Sequence, residues 1–582
     1  MLSDSQTYPI CTQNFMRIGK AVSEDAGAAA AGGADGQFNL EGILTELGSF
    51  GRYQVLLLLL LAFRDTFLAM CNYHYVFTAA EVAHRCYVPA CESAGDPYNA
   101  TWSQHAFANA TAACYRLAAD QALGSNASTA RAQWNASKCS PEVFAADSAA
   151  PCERLQYADY NSIVAEFNLG CQPWKRTLLG TVHNLGLVFS SVLSGLISDR
   201  YGRKVIIVGT PLVVGALGLL KSFAASFWLL IVLEFLETAL GYGTASMVLS
   251  LETVSQSNRV VFSCIWDILS SFGGAFFGLI AWKVPYWRHM MRAIYAPLLV
   301  VVFYIFLVDE GVRWLLAHDR EHEAVRVLNK VAKINNITLS NKAQKMMTQI
   351  TETRHADDQP KRESQHLLSV LRSRTILFRV AVIAACFICG TFVYTATIIN
   401  STNISGNKYI NYSALQLVSI PTRIITALTL TRFGRKTPIC VAYCLCAVFF
   451  ISSAFVPKSV WWTSMLFYLV GKMCSSYGLF SVHVVAMEVF PTTSRNSLTN
   501  IASTVGRLGA VLAPQAPLLE RYMPGLPSVV FGVAALAPAL LALLLPDTSG
   551  VALPERVRDA ERLTSPALAS THPLPDKRPE TV

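Results

Sequence analysis

Residues 197–207 read ISDRYGRKVII, and residues 430–439 read LTRFGRKTPI. Arg200, Gly202, Arg203 and Lys204 return as Arg432, Gly434, Arg435 and Lys436, each time between long apolar runs. A bare basic turn carries little information, but two further signatures repeat with it in the same order. Glu252 and Arg259 bracket ETVSQSNR, and Glu488 and Arg495 bracket EVFPTTSR with the same separation. Glu310 and Arg313 stand in DEGVRW, and Asp547 stands in LPDTSG. Three charged signatures repeated in register indicate a duplicated unit in parallel orientation, one of the repeat types on which membrane carriers are built.

Composition sets the solvent of that unit. Of 582 residues, 53% are hydrophobic and only 15% charged, against roughly 25% charged in a soluble domain. A membrane helix needs roughly 20 mostly apolar residues. Twelve such runs are readable, at about 54–77, 177–198, 205–223, 227–249, 260–282, 291–308, 376–399, 412–431, 438–456, 461–487, 498–519 and 526–545. The expected fold is therefore an all-α membrane protein of two six-helix half-bundles. Residues 1–39 read as a flexible cytosolic N-terminus without a signal peptide, and the first span as a signal anchor. Residues 40–308 form the first half, 309–375 a cytosolic linker, 376–545 the second half and 546–582 a cytosolic tail. In the linker, Val325, Leu328 and Val331 recur at helical spacing.

Basic turns favour the cytoplasm, which places both termini inside and the loop 78–173 outside. That loop holds five Lys/Arg against nine Asp/Glu. It also carries the glycosylation acceptors Asn99, Asn109, Asn126 and Asn135. Asn400, Asn403 and Asn411 are further acceptors in the loop after span seven, and Asn336 is one expected to stay unused in the cytosol. Lys283, Arg288 and Arg292 would lie outside, against the charge rule. Six of the fifteen cysteines, Cys86, Cys91, Cys114, Cys139, Cys152 and Cys171, fall in the outer loop and are disulfide candidates of open connectivity. Their spacing lacks a close CxxC pair, which argues against zinc.

The stretches DRYGRK, DEGVRWLLAHDREHEAVRVLNKVAKINN, GKMCSSYGLFSVHVVAMEVFPTTSRN and LPDTSGVALPE resemble the organic cation, organic anion and carnitine transporter family of the major facilitator superfamily. ELGSFGRYQVLLLLLLA and the long cysteine-bearing loop are similar too, so the resemblance covers roughly residues 40–560. It implies alternating access, in which two halves rock about a central site, in the plasma membrane. The linker helices are expected to serve as a collar or gate. The resemblance gives Asp199, Arg203, Glu252, Arg259, Glu310, Arg313, Arg435, Glu488 and Arg495 a gating role at the cytosolic edge.

Charges inside apolar spans cost on the order of +2.5–3.5 kcal/mol on insertion scales, so each marks a site until a partner is found. Span eight carries Arg423 and span eleven Arg507. By resemblance, organic anion carriers hold cations at both places, and organic cation carriers tend to hold Asp at the second. The other half carries Arg64–Asp65, Glu234 and Glu237 on one helix face, and Asp267. Glu234 sits where the family more often has Arg. Arg64 and Asp65 are adjacent, so each is expected to need its own partner, Arg64 with Glu234 or Asp267. The substrate-binding candidates are Arg507, Arg423, Glu234, Asp267, Tyr394 and Tyr477. Tyr242, Trp266 and Phe387 are further aromatic candidates. His183 and His483 titrate near neutrality in their ordinary state.

No phosphate loop and no metal-ligand spacing is readable, so neither an enzyme, an ATP-driven pump nor a cofactor is expected. The expected partners are a small organic ion, leaning to anions or zwitterions, a coupled ion or exchange substrate, and the lipid bilayer, but no nucleic acid. An organic cation carrier is the alternative, and a non-transporting receptor on the same fold a second.

Overall fold

The computed structural model describes residues 40–48, 50–87, 98–99, 114–119, 144–152, 154–243, 245–254, 259–341, 343–344, 347, 370, 372–491, 494–548, 554 and 557–562. Among the described residues, ten helices are long and apolar enough to cross a membrane: Arg52–Thr78, Pro173–Tyr201, Arg203–Lys221, Phe227–Glu252, Ile265–Lys283, Trp287–Leu307, Arg374–Thr402, Lys408–Leu430, Lys436–Ala454 and Trp461–Val489; Arg495–Leu512 and the shorter Leu526–Ala542 follow at the places of the last two expected spans. They are called spans one to twelve here. Span eleven is the most polar and span twelve the shortest. Helices suit the setting because each satisfies its own backbone hydrogen bonds where no water can.

The ends are set by local chemistry. Ser226 caps span four by accepting from the Leu229 N–H, and Ser373 caps span seven by accepting from the Ile376 N–H. Span three follows Gly202, whose φ of +99° is a backbone conformation that favours glycine. Small residues then bring spans together. A Cβ at Gly218 would lie 2.0 Å from the Tyr295 ring of span six, and one at Gly509 would lie 2.0 Å from the Ile388 carbonyl of span seven. The opposite faces present apolar side chains outward, such as Leu196 and Leu540.

The linker helices Val312–Ala317 and Glu321–Asn335 pack on the first half through Trp314, Leu328 and Val331. Asn335 clasps the start of span one, donating to Leu47 O and Gln54 Oε1 while accepting from the Tyr53 N–H.

The loop 78–173 adds two small antiparallel pairs to the helical fold. His84–Cys86 pairs antiparallel with Leu155–Tyr157, and Tyr115–Ala119 with Phe144–Pro151. Disulfides join Cys86 to Cys152 and Cys114 to Cys171. Asn99 is exposed. Cys91, Cys139, Asn109, Asn126 and Asn135 lie outside the described residues. Asn400 and Asn411 correct the glycosylation expectation. Both are buried, and the Asn411 amide donates to Ile404 O at 3.2 Å, so neither is placed to carry a sugar. Asn403 is exposed. The cations that broke the charge rule are partly neutralised: Arg288 donates to Glu166 at 2.9 Å and to the carbonyls of Ser222 and Ala224.

Candidate functional site

The two halves meet most closely at the end where the long loop sits. Thr177 of span two donates to Gln515, whose amide donates to Thr181 at 2.9 Å. A Cβ on Gly180 would stand 2.9 Å from Pro514. Ser413 of span eight donates to Ala275 O of span five at 2.9 Å. Glu81 pairs with Arg176 and lies 4.0 Å from Arg521 of the other half. Burial pushes the Glu81 carboxyl up, but Arg176, then Arg521, outweigh it and hold it below the ordinary carboxylate value.

A polar group of spans five and eight bridges the seam between the halves. Arg423 Nε of span eight lies 3.5 Å from Asp267 Oδ2 of span five, with the two side chains 32% and 36% exposed. This is an ion pair across the halves that water still reaches. The Arg423 guanidinium also covers the Phe480 ring at 4.3 Å, a cation–π contact. His483 is exposed, with its ring 5.8 Å from that of Phe387. Arg507 is half-buried in span eleven; Tyr73 of span one is its electrostatic neighbour, and no carboxylate pairs with it among the described residues. Tyr394 is half-buried on span seven, its ring under the Lys472 ammonium at 3.1 Å.

Other expected site residues have different places. Tyr477 is buried and its hydroxyl bonds Thr429 at 2.7 Å. Trp266 and Phe387 are buried packing residues. Glu234 is fully buried, with its carboxylate held by Lys221 at 2.7 Å and by His183 at 2.6 Å. It does not face the seam. Arg64 and Asp65 pair with each other, and Arg64 also donates to Ile207 O, Ser246 and Thr210. Neither Glu234 nor Asp267 is its partner. Adjacent helical positions diverge, but a long guanidinium can fold back to its neighbour.

Sequence reasoning missed three charged or titratable groups. Lys221, within the run 205–223, is fully buried. Lys472 lies in the middle of span ten, buried, and donates to Tyr394 O at 2.9 Å. His74, at the end of span one, is buried 3.4 Å from Glu234. The signal was available: each lysine is a charge within an apolar run. His74, His183 and Glu234 offer ligand atoms within 4.8 Å of one another, yet Lys221 already occupies the carboxylate. A divalent cation there would meet an ammonium, so the group does not suit a metal.

The repeated turns become matching contacts. In the first half Arg203 Nε lies 3.7 Å from Glu252, and the Glu310 carboxylate accepts from the backbone N–H groups of Arg203 at 2.8 Å and Lys204 at 3.1 Å. Asp199 sits 3.4 Å from Arg203, and its carbonyl accepts from Trp314. In the second half Arg435 grips Glu488 by Nε at 3.0 Å and Nη2 at 2.9 Å. Those bonds hold the Arg435 guanidinium above its ordinary value. Arg495 turns back to Phe490 O. Arg313 has interactions of its own, and the Arg259 side chain lies outside the described residues.

The family model described as Major Facilitator Superfamily matches residues 166–514. Solute carrier family 22 member 1 of Oryctolagus cuniculus is 27% identical over 90% of this chain and 95% of its own length. The Organic cation transporter protein of Drosophila melanogaster is 27% identical over 89% of this chain and 94% of its own. Among solved structures, the xylose transporter XylE from E. coli, in a partially occluded inward open conformation, aligns with a TM-score of 0.53. It shares 12% identity and covers 85% of this chain and 99% of that one, which speaks for the fold alone.

Proposed function

We propose that this chain, which belongs to the Major Facilitator Superfamily, carries small organic ions bearing a cationic group across the plasma membrane by alternating access. The observation that carries the reading is Asp267, an acid open to water at the seam and held only loosely by Arg423 at 3.5 Å. An organic cation arriving there competes with Arg423 both for the carboxylate and for the Phe480 ring face that Arg423 now covers. Displacing Arg423 breaks an ion pair between the halves, which ties binding to their relative motion. The name of the Drosophila relative supports this cation-first order over the anion-first one.

Arg507 favours a second reading, in which the ligand also carries a carboxylate. A guanidinium without an acidic partner is suited to bind one with paired hydrogen bonds. The outer loop, the basic turns and the acceptor Asn99 support an orientation with the loop outside and both termini in the cytoplasm. The contacts of Asp199, Arg203, Glu252, Glu310, Arg435, Glu488 and Arg495 suit latches of one access state rather than ligand contacts.

The test is uptake into proteoliposomes of tetraethylammonium, benzoate and betaine. Tetraethylammonium uptake should fall tenfold or more in Asp267→Asn. Arg507→Asp should spare it and abolish carboxylate transport. Benzoate uptake insensitive to both substitutions would refute the placement of the site, and no uptake of any probe would favour a receptor.

A further inference from the structure

Behind the seam, spans one, two, three, four and six bury a cluster of ionisable groups for which ligand contact supplies no role. Lys221, Glu234, Glu237 and His183 are fully buried and His74 is nearly so. Lys221 bonds Glu234 at 2.7 Å and also pairs with Glu237. Tyr295 donates to Glu237 at 3.2 Å, and Tyr242 approaches it at 3.5 Å. Cys71 turns its thiol to Ile294 O. Tyr75, also buried, packs its ring 5.1 Å from that of His183 and 6.0 Å from that of His74.

Charge counting shows what is missing. One ammonium and two carboxylates with neutral imidazoles leave a net negative charge fully removed from water, which is costly. The imidazoles are arranged to supply the missing proton. His74 Nδ1 faces the Cys71 carbonyl at 2.8 Å, so it donates, and its Nε2 points at Glu234 Oε2 at 3.4 Å. That second nitrogen opposes lone pair to carboxylate unless it too carries a proton. His183 places one ring nitrogen on Glu234 and the other 3.1 Å from Asn72 Oδ1.

We propose that this cluster is a proton-binding site whose single exchangeable proton is the coupled ion of the transport cycle; this rests on the transport reading above. The proton comes from water on one side of the membrane, bonds to a carboxylate or imidazole of the cluster, and returns to water on the other. No electron moves. His183 lies ten residues into span two, or about 15 Å by the helical rise from the loop end, while His74 and Lys221 stand near the ends of spans one and three. Access is set by the same span. Gly180, Thr177 and Thr181 press span two against the second half, and His183 follows Gly180 by one turn. Asn72 and Tyr242, both half-buried, stand between the cluster and the seam. When the halves part at the loop end, the Gln515 bonds break and water reaches Asn72 and then His183.

Two measurements test the site. The first needs no substrate: infrared difference spectra of the full-length purified protein between about pH 6 and about pH 8, either side of the ordinary histidine value. The wild type should show a protonation change in carboxyl or imidazole bands that Glu237→Gln removes, since the amide mimics the protonated acid and leaves Lys221 paired with Glu234. A wild-type spectrum without such a change overturns the proposal even if transport is found. The second is uptake of tetraethylammonium, benzoate and betaine into proteoliposomes under an imposed proton gradient at clamped voltage. The gradient should accelerate whichever probe is carried several-fold. Glu237→Gln should abolish that acceleration while keeping equilibrium exchange. Should that variant not fold, His183→Asn must lose the same dependence. Gradient-independent uptake in the wild type refutes coupling, whereas failure of every probe with an intact infrared signal refutes only the transport reading.

Discussion

Replacing Gly509 by alanine, with Gly195→Ala as its control, asks whether spans seven and eleven touch as closely as described. A Cβ at 509 would stand 2.0 Å from the Ile388 carbonyl oxygen and 2.9 Å from the Phe392 nitrogen, where ordinary contact is 3.4–4 Å. Both neighbours are backbone, so no side-chain rotation relieves the clash. Span eleven would have to withdraw by more than about 1 Å, and overpacking of this kind costs typically about 1–3 kcal/mol. Alanine at a helical glycine otherwise gains about 0.5–1 kcal/mol, leaving a net loss of up to about 2.5 kcal/mol at position 509. Nothing lies within 4 Å of a Cβ at Gly195, so that substitution should keep only the gain. The assay is thermal unfolding of the full-length protein in detergent, read beside transport rate. Gly509→Ala should melt earlier than wild type and, by shifting Arg507 two residues away, slow transport. Gly195→Ala should melt no earlier than wild type. Equal melting of the two variants would refute the close approach.

Arg435→Ala should cost about 1–3 kcal/mol of the access state it latches, because Glu488 loses charge-assisted bonds; uptake kinetics would show slowed turnover with substrate affinity retained. Arg435→Lys should recover only part, since an ammonium cannot reproduce the planar fork. For Glu81, the folded-state value is depressed, so its contribution is present above the ordinary carboxylate value and lost as pH falls through the lower folded value. Accessibility of a reporter at the loop end should therefore rise on acidification in wild type and be already raised and flat in Glu81→Gln. Asn99→Gln should reduce the mobility shift produced by glycosidase treatment, read on a gel. Cys86→Ser should lower thermal stability, with about 2–5 kcal/mol typical for losing a native disulfide in a small secreted domain.

The duplicated architecture was legible because lipid demands long apolar helices, and because the repeated signatures are local words that survive reading in one dimension. Glu252 and Glu488, distant in sequence from Arg203 and Arg435, do approach them in space. Pairing inside the membrane was far less legible. Arg64 found its own neighbour, and Glu234 turned away from the seam to meet a lysine thirteen residues earlier. Which face of a helix looks inward depends on packing around small residues such as Gly180 and Gly218, and composition does not record it. Lys221 shows how a charge inside an apolar run can go unread: near one end of its span it is expected to reach water, yet it is sealed under Tyr295. The small sheets of the loop 78–173 pair strands far apart in sequence, His84–Cys86 with Leu155–Tyr157 and Tyr115–Ala119 with Phe144–Pro151, a pairing that local pattern does not record.

The two latches at the turn end differ in a way that bears on how each half tolerates change. Glu488 is held by the side chains of Arg435 and Thr548, so a single codon at 435 removes its only guanidinium contact among the described residues. Glu310 is held by main-chain N–H groups that every residue at 203 or 204 except proline would present. An alanine scan of the first turn would therefore pass over that anchor without noticing it, and only a change at Glu310 itself, or a proline at 203 or 204, would reveal it. Drift after a duplication can thus leave the Glu310 anchor standing whatever replaces Lys204 except proline, while the pairs that Arg203 makes with Glu252 and Arg435 with Glu488 each depend on their arginine.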